Sequence, residues 1–409
     1  MDSNSFRPEV IDTAFPWPRP PIDPPLAYNW LRDNEPIRQV ETVGGGAAWL
    51  ITRYDDVRTI LSDARVSSDS QNPGFPRFGA PTEPEDQRLF LRMDPPQHTI
   101  FRDLLAKNFT LSAMKKMRPA IQELVDETIA TMLSSPDRKA DFVEEFALPI
   151  PSTVLSWLLG VRAEDRAFFN SAADRALAAT DPTNPDALEI AMTAMHELRT
   201  YIRSIAEERA AQDDPGDDIM GQLVGAARAG DITMMDVENS GFLLIIAGHD
   251  TTTNMTALGT YTLLQHRDLW NEIREEPSLV RGAVEELLRY LTVVHLVILR
   301  VATEDIQIGG VTIKAGDAII PLNLAANRDD AHFPEADQLD IHRKDRDHFA
   351  FGYGIHQCVG QALARLELQV IFETLTRRVP NLRLDADPAD LPFKQWSGIN
   401  GLFTMPVTW

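Results

Sequence analysis

The chain has 409 residues, 44% hydrophobic and 24% charged, which is ordinary globular composition and excludes a disordered protein. Its 39 basic and 61 acidic residues give a formal net charge of −22, which opposes general binding to nucleic acid or to an anionic membrane. Cys358 is the only cysteine, so no intrachain disulfide can form, and neither a signal-peptide pattern nor a long apolar run occurs. We therefore expect a cytoplasmic protein that does not enter membranes.

The first part of the chain is rich in proline and glycine. Residues 1–25 hold seven prolines, which predicts an extended arm on the surface. The stretch "AAWLITRYDDVRTILSD", residues 47–63, predicts a strand that passes into a helix. A long loop follows at Pro73–Phe90, and loops of this length are often functional lids.

After Pro96, helical patterns dominate, and no βαβ alternation indicates a doubly wound sheet. The residues 306–313 alternate apolar side chains around Gly309 and Gly310, which predicts a β-hairpin. The predicted fold is mainly α with a small β region, in one domain of residues 1–409. The predicted helices are Thr99–Asn108, Ser112–Ser134, Pro151–Leu159, Ala163–Ala178, Pro185–Ala211 and Ile219–Ala229.

A stretch without proline, Met234–Trp270, predicts one helix of about 55 Å. Its middle carries Gly248, His249, Asp250 and three threonines within an otherwise apolar sequence. Burying such groups is unfavourable unless they have partners or face a wet cavity. The polar stretch therefore faces a bound reactant, or the helix reaches the surface there with Asp250 solvated. The residues by themselves favour the second interpretation.

Two further charged patterns stand out. Glu286 and Arg289 are three residues apart on one helix face with apolar neighbours, and we interpret them as a structural brace rather than a catalytic acid and base. A basic cluster interrupts the acidic chain and is either a docking surface for an acidic partner or a solvated helix face. The cluster consists of Lys107, Lys115, Lys116 and Arg118.

The only cysteine lies in "FGYGIHQCVG", residues 351–360, ahead of a helical pattern at Val359–Leu375. A zinc site would need further Cys or His ligands at short spacing, and a hydrolase nucleophile would need a better placed base than His356. A buried, inert cysteine is the common alternative. Against it, the glycines of the loop let the backbone approach a flat group, and a helix N-terminus favours a thiolate. A thiolate held by one loop suits the axial position of a haem iron.

This loop resembles the haem-binding loop of the cytochrome P450 family, Phe-x-x-Gly-x-His/Arg-x-Cys-x-Gly. The stretch "AGHDTT", residues 247–252, resembles the central-helix signature of that family, and "EELLR" supplies its Glu-x-x-Arg. "FPEADQLDIHR" resembles the meander that precedes the cysteine loop, with Arg343 as the third member of the brace with Glu286 and Arg289. The resemblance covers residues 49–409 and is greatest to soluble actinobacterial members. It implies the P450 fold, with haem between a long central helix and the cysteine loop.

The resemblance also implies the residues of a haem b site. "MDPPQHTIFRDLL" and "LRVATEDIQIGGVTIKAG" resemble segments whose His and Arg side chains bind the haem propionates. Cationic partners offset the desolvation of such carboxylates. Cys358 is the implied iron ligand. The implied haem-binding residues are His98, Arg102, Ala247, Arg300, Phe351, Gly352, His356, Cys358 and Gly360.

The implied activity is that of a monooxygenase, which uses O2 and two electrons to hydroxylate or epoxidise a hydrophobic natural-product intermediate or xenobiotic. Asp250 and Thr251 are the implied proton-delivery pair. The chain has no GxGxxG loop, so the electrons are expected from a ferredoxin and its reductase. The basic cluster then becomes the expected docking surface, and we expect a monomer. The alternative is oxidative coupling or ring closure on the same iron, and a haem sensor or carrier would have no use for Asp250 and Thr251.

The identity of the substrate does not follow from the sequence. By resemblance, its pocket is lined by the Pro73–Phe90 loop, the central helix, residues 293–298 and residues 399–402, with the helices of residues 163–211 opening and closing. Most of the lining is apolar, and His295 is a polar exception that either binds a polar substrate group or lies at the surface. The candidate substrate residues are Leu243, Leu244, Val294, His295, Val297, Ile399 and Leu402.

Overall fold

The computed structural model describes residues 8–78, 84, 87–177, 186–394 and 398–409. The helices are α1 Leu26–Asn34, α2 Tyr54–Ser62, α3 Gln97–Ala106, α4 Leu111–Leu133, α5 Pro149–Leu158, α6 Arg166–Leu177, α7 Ala187–Ala211, α8 Ile219–Ala229, α9 Met234–Gln265, α10 Arg267–Glu275, α11 Val280–Leu291, α12 Asn323–Ala326 and α13 Gln361–Arg378. The strands are β1 Ile37–Glu41, β2 Ala47–Ile51, β3 Val66–Ser67, β4 Lys139–Asp141, β5 Arg300–Ala302, β6 Ile306–Ile308, β7 Val311–Ile313, β8 Ala318–Pro321, β9 Arg383–Leu384 and β10 Pro406–Thr408.

The chain divides into two compact units. Unit 1 takes the described parts of residues 1–98, 285–358 and 395–400, and unit 2 takes those of 99–284, 359–394 and 401–409. The expectation of a single domain over residues 1–409 stays a prediction. Among the helices of the described ranges, none combines the length and the apolar character that crossing a bilayer requires.

Unit 1 is built on a five-stranded sheet with the order β1-β2-β8-β5-β3. β2 and β8 are parallel, and the other neighbours are antiparallel. The predicted hairpin is β6-β7, where Gly309 and Gly310 have φ of 55° and 81°. A two-residue turn with both φ values positive favours glycine and matches the twist of the strands. Buried side chains form two hydrophobic clusters in this unit.

The N-terminal arm is more than a surface element, and here the prediction was wrong. Phe15, Trp17 and Arg19 alternate with prolines 16, 18 and 20 along the chain. All three of these side chains are buried. Proline holds the backbone extended, so every second side chain points to the same face. The arm thereby contributes Phe15 and Trp17 to a core of unit 1, with their ring centroids 5.3 Å apart.

Unit 2 is a bundle of helices around α9, together with a three-stranded sheet of order β4-β10-β9. α9 packs against α5, α7, α8 and α13, and most of its side chains are buried. The predicted single helix Met234–Trp270 ends earlier, at Gln265, because His266 leaves helical geometry with φ −113° and ψ 69°. α10 then starts in a new direction and buries Trp270 completely.

Candidate functional site

The cysteine loop lies in unit 1 and is shaped by hydrogen bonds of its own backbone. The Cys358 amide donates to the Phe351 carbonyl at 2.9 Å, and Gly352 donates to Phe349 at 2.9 Å. Gly352 and Gly354 have φ of 68° and 75°, a region that favours glycine. A Cβ on Gly354 would lie 2.3 Å from the Leu61 carbonyl oxygen, so this position excludes any larger residue. The loop ends with Cys358 exposed, directly ahead of α13.

Three of the predicted haem-binding side chains belong to unit 1. The His98 ring is buried, and its centroid lies 4.1 Å from that of His356. Arg300 on β5 is 6% exposed, and its Nη1 donates to the Leu299 carbonyl at 2.8 Å. Burial, reinforced by the positive charge of Arg92, lowers the Arg300 pKa to about 10. Within the described part of the chain, Arg300 forms no ion pair, although the nearby carboxylate of Asp94 favours its charged form.

These side chains fit a group that carries carboxylates, as haem does. A buried guanidinium is costly to desolvate unless an anion binds it. Two imidazoles at van der Waals distance add further polar groups from His98 and His356. Arg102 follows His98 by one helical turn on α3, on the unit 2 portion of that helix. The donor set of unit 1, with one thiol, two imidazoles and one guanidinium, therefore suits an iron porphyrin with propionate groups.

The polar stretch predicted in the central helix lies on α9, in unit 2. Ala247 is exposed and Thr251, four residues later on the same helix face, is half-buried, whereas His249 and Asp250 are buried. The Thr251 hydroxyl donates to the Ala247 carbonyl at 2.8 Å, so its lone pairs remain able to accept. Gly248 faces the other way, since a Cβ there would lie 3.0 Å from Leu155 of α5. The interpretation that Asp250 is solvated was wrong, because its side chain is enclosed and paired.

Asp250 is held by two donors that converge on one oxygen. Asn254 Nδ2 donates to Asp250 Oδ1 at 2.7 Å, and Lys394 Nζ donates to the same oxygen at 2.9 Å. The side chains of Asp250 and Lys394 are each 10% exposed. Next to Asp250, the fully buried His249 places its Nε2 2.9 Å from Asp174 Oδ1 of α6, but neither of its ring nitrogens has a hydrogen-bond partner in the described part of the chain. The polar middle of α9 is thus buried and only partly hydrogen-bonded, with Asp250 as its partnered charge.

The predicted brace forms in unit 1. Arg289 donates from Nε to Glu286 Oε2 at 2.8 Å and from Nη2 to Oε1 at 2.7 Å. Arg343 Nε lies 3.2 Å from both oxygens, and the Asp340 amide donates to Oε1 at 2.9 Å. The remaining donors of Arg289 reach the carbonyls of Asn327, Ala336 and Gln338. Each charge of the brace is therefore compensated.

The candidate substrate residues fall into both units. In unit 1, Val294 and Ile399 form a β-bridge, and Val297 is half-buried. His295 is buried rather than at the surface, and its Nδ1 lies 3.3 Å from Arg19 Nη1. Burial, reinforced by Arg19, lowers the His295 pKa to about 3, so the ring is neutral.

In unit 2, Leu243, Leu244 and Leu402 are buried. The predicted Pro73–Phe90 loop lies partly outside the described residues, as does the stretch that joins α6 to α7. The opening and closing expected of that loop and of the helices of residues 163–211 stays a prediction.

Sequence reasoning missed three functional candidates: Asn254, Lys394 and Arg19. Asn254 could have been found, since an amide four residues after a carboxylate lies on the same helix face. Arg19 had a weaker signal, the period-two alternation with prolines. Lys394 had none, because 144 residues separate it from Asp250 and only the tertiary fold brings them together.

Comparisons with known proteins agree with this architecture. The family model "Cytochrome P450" matches residues 40–387. Cytochrome P450-SU2 of Streptomyces griseolus is 42% identical over 95% of this chain and 94% of its own. Vitamin D3 dihydroxylase of Streptomyces griseolus is 40% identical over both full chains. The crystal structure of cytochrome P450 MoxA from Nonomuraea recticatena aligns with a TM-score of 0.90 at 40% identity, covering 97% of this chain and 98% of that one.

The chain belongs to the cytochrome P450 family, as predicted. Its fold is the P450 fold, and the prediction of a mainly α protein with a small β region is confirmed. It is a cytochrome P450 monooxygenase and a haem protein. Its bacterial relatives of this type work with redox partners that supply electrons.

Proposed function

We propose that this enzyme hydroxylates or epoxidises a hydrophobic small molecule, either a natural-product intermediate or a xenobiotic. Bound haem b supplies the oxygen chemistry: it activates O2 with two electrons and inserts one oxygen atom into a C–H bond or across a double bond. The apolar candidates Leu243, Leu244 and Leu402 support a hydrophobic substrate. So does the name of the relative vitamin D3 dihydroxylase, whose substrate is hydrophobic.

We propose Cys358 as the iron ligand, with His98, Arg102, Arg300 and His356 binding the propionates. The support is the exposed position of the cysteine and the buried guanidinium of Arg300, which forms no ion pair with any described residue. The test is the carbon monoxide spectrum of the reduced protein, which should be of the thiolate type. Cys358→His should change it to the imidazole type, and an unchanged spectrum would exclude Cys358 as the ligand.

The proposed oxygenase function depends on proton delivery by Thr251 and Asp250. One observation supports it: in the middle of α9, Ala247 is exposed and Thr251 is half-buried, and the buried carboxylate of Asp250 is their neighbour on the helix. Thr251 Oγ1 has a fixed donor direction toward Ala247 and can accept a proton from its other side. Asp250 can accept a proton from water and pass a proton to that hydroxyl.

The experiment measures product formed per NADPH consumed, with a substrate first identified by its shift of the haem spectrum, beginning with vitamin D3. Thr251→Ala should keep haem and substrate binding but divert most electrons to hydrogen peroxide. Thr260→Ala, nine residues further along the same helix and buried, is the matched control and should stay coupled. Unchanged coupling in Thr251→Ala would contradict the role.

We propose a ferredoxin, itself reduced by a ferredoxin reductase, as the electron donor, docking on the basic cluster. Lys107, Lys115 and Lys116 are exposed around Leu111, which is 80% exposed. Arg118 contributes less, because it is half-buried and lies 3.2 Å from Glu373 of α13. Exposed cations surrounding an apolar side chain suit an acidic partner protein.

Replacing Lys115 and Lys116 by Glu should slow electron transfer more at low salt than at high salt, because salt screens exposed charges. Lys314→Glu is the control, since Lys314 is exposed and paired with Asp305 in unit 1. An equal effect at all salt concentrations would exclude this docking surface. Product mass then separates oxygen insertion, which adds one oxygen atom, from oxidative coupling or ring closure.

A further inference from the structure

The buried carboxylate of Asp250 is bound asymmetrically. Its Oδ1 accepts from both Asn254 and Lys394, at 2.7 and 2.9 Å. Its Oδ2 accepts no hydrogen bond from any residue in the described ranges. The two oxygens of a carboxylate are chemically equivalent until their surroundings distinguish them. Here the surroundings assign one oxygen to holding the side chain in place and leave the other available.

Other contacts hold Lys394 in position, so the asymmetric binding of the Asp250 carboxylate is a stable feature of the fold. Its amide donates to the Gly401 carbonyl at 2.9 Å, and the adjacent Phe393 pairs with Leu402. Its Nζ also lies 5.5 Å from the centre of the Phe403 ring, within the range of a cation–π contact. With 10% of its side chain exposed, Lys394 is partly desolvated, and a charge pair at 2.9 Å is stronger there than at the surface.

We infer that Lys394 is a positioning residue for proton delivery: it binds Asp250 Oδ1 so that protons enter and leave through Oδ2. This inference rests on the proposed function of Asp250. The proton balance is simple, since Oδ2 accepts one proton from water and passes one proton on toward the Thr251 hydroxyl, and the carboxylate is restored. Lys394 takes no part in the transfer.

The test compares Lys394→Met with Lys394→Arg in the haem-loaded enzyme, using the same substrate probe and measuring product per NADPH. The Met variant should lose coupling severalfold, because Asp250 Oδ1 loses one of its two donors. The Arg variant should restore coupling, because it keeps a charged donor for that oxygen. Lys314→Met, which breaks the exposed pair with Asp305, is the control.

A second readout does not depend on activity. The Tm of Lys394→Met, Asp250→Asn and the double variant forms a cycle that measures the pairing of the two side chains. Losses that are less than additive are expected, and additive losses would overturn the pairing.

Two outcomes separate this inference from the proposal on which it rests. If Asp250→Asn uncouples the enzyme while Lys394→Met leaves coupling unchanged, the inference about Lys394 is wrong and the role of Asp250 stands. If Asp250→Asn leaves coupling unchanged, the proton-delivery proposal itself fails.

Discussion

Glu286 in unit 1 and Asp250 in unit 2 are both buried carboxylates with cationic partners, yet they are bound in different ways. Glu286 uses both oxygens, which together accept from Arg289, Arg343 and the Asp340 amide. Among the described residues, Asp250 uses one oxygen, which accepts from Asn254 and Lys394. A fully bound carboxylate has no site at which to exchange a proton, whereas a half-bound one has. Saturation of Glu286 therefore fits a structural role, and the open oxygen of Asp250 fits the proton-delivery role that we propose.

The largest effect on stability should come from breaking the saturated pair. Arg289→Met leaves Glu286 buried with fewer donors and leaves three backbone carbonyls without their partner. Removing one member of a buried ion pair costs about 4 kcal/mol of unfolding free energy. Urea unfolding should show this loss, together with poor haem incorporation. Arg274→Met, which removes an exposed pair with Glu275, should cost less than about 1 kcal/mol; equal losses would mean that the brace is not saturated.

Glu367 on α13 extends the comparison to a buried carboxyl group whose pKa is raised by burial to about 8. The folded state holds its proton where the unfolded state, with a pKa of 4.5, releases it. Stability contributed by this group is present below about pH 4.5 and is lost as the pH rises toward 8. Between pH 5.5 and 8 the loss is about 3 kcal/mol. Glu367→Gln should flatten that part of the stability profile in urea unfolding, and an unchanged slope would show that Glu367 is ionised in the fold.

The contribution of His295 to stability should change with pH in the opposite direction. Burial and Arg19 lower its pKa to about 3, so the folded state excludes a proton that the unfolded state binds below 6.5. Stability should fall as the pH decreases, by about 2 kcal/mol between pH 7 and pH 5. His295→Gln keeps an acceptor for Arg19 and should remove this dependence. Should both proteins keep the same slope over that range, another group would be responsible.

Asp250 should affect stability less than the brace does. In Asp250→Asn the amide oxygen can still accept from Asn254 and Lys394, but the ammonium group of Lys394, 10% exposed, loses its counter-charge, so the unfolding free energy should fall by about 2 kcal/mol. Coupling of electrons to product should nevertheless fall by an order of magnitude if Oδ2 carries protons. Measuring Tm and peroxide yield on the same preparation checks both. A large drop in Tm would place Asp250 with Glu286 as a structural carboxylate.

Local chemistry explains why much of the site was predictable. The glycines around Cys358, the spacing of Glu286 and Arg289, and the polar stretch of α9 are all encoded within a few residues, since helix faces and turns have fixed periods. The helix α8 was predicted with its observed ends, Ile219–Ala229. The end of α9 before His266 was not predicted, because the sequence around His266 has no proline or glycine. The chain leaves the helix there and then buries Trp270, and that packing is a tertiary contact.

The sequence by itself determined the family, the single thiol, the acid–alcohol pair and the order of the elements, because each depends on residue type and short spacing. The tertiary structure decided which of these groups are charged, neutral or already bound. It turned Asp250 from a residue that looked solvated into one held at a single oxygen by Lys394, and it enclosed His295 against Arg19 from the N-terminal arm. Burial and long-range partners set the state of an ionisable group, and neither is encoded near that group in the chain.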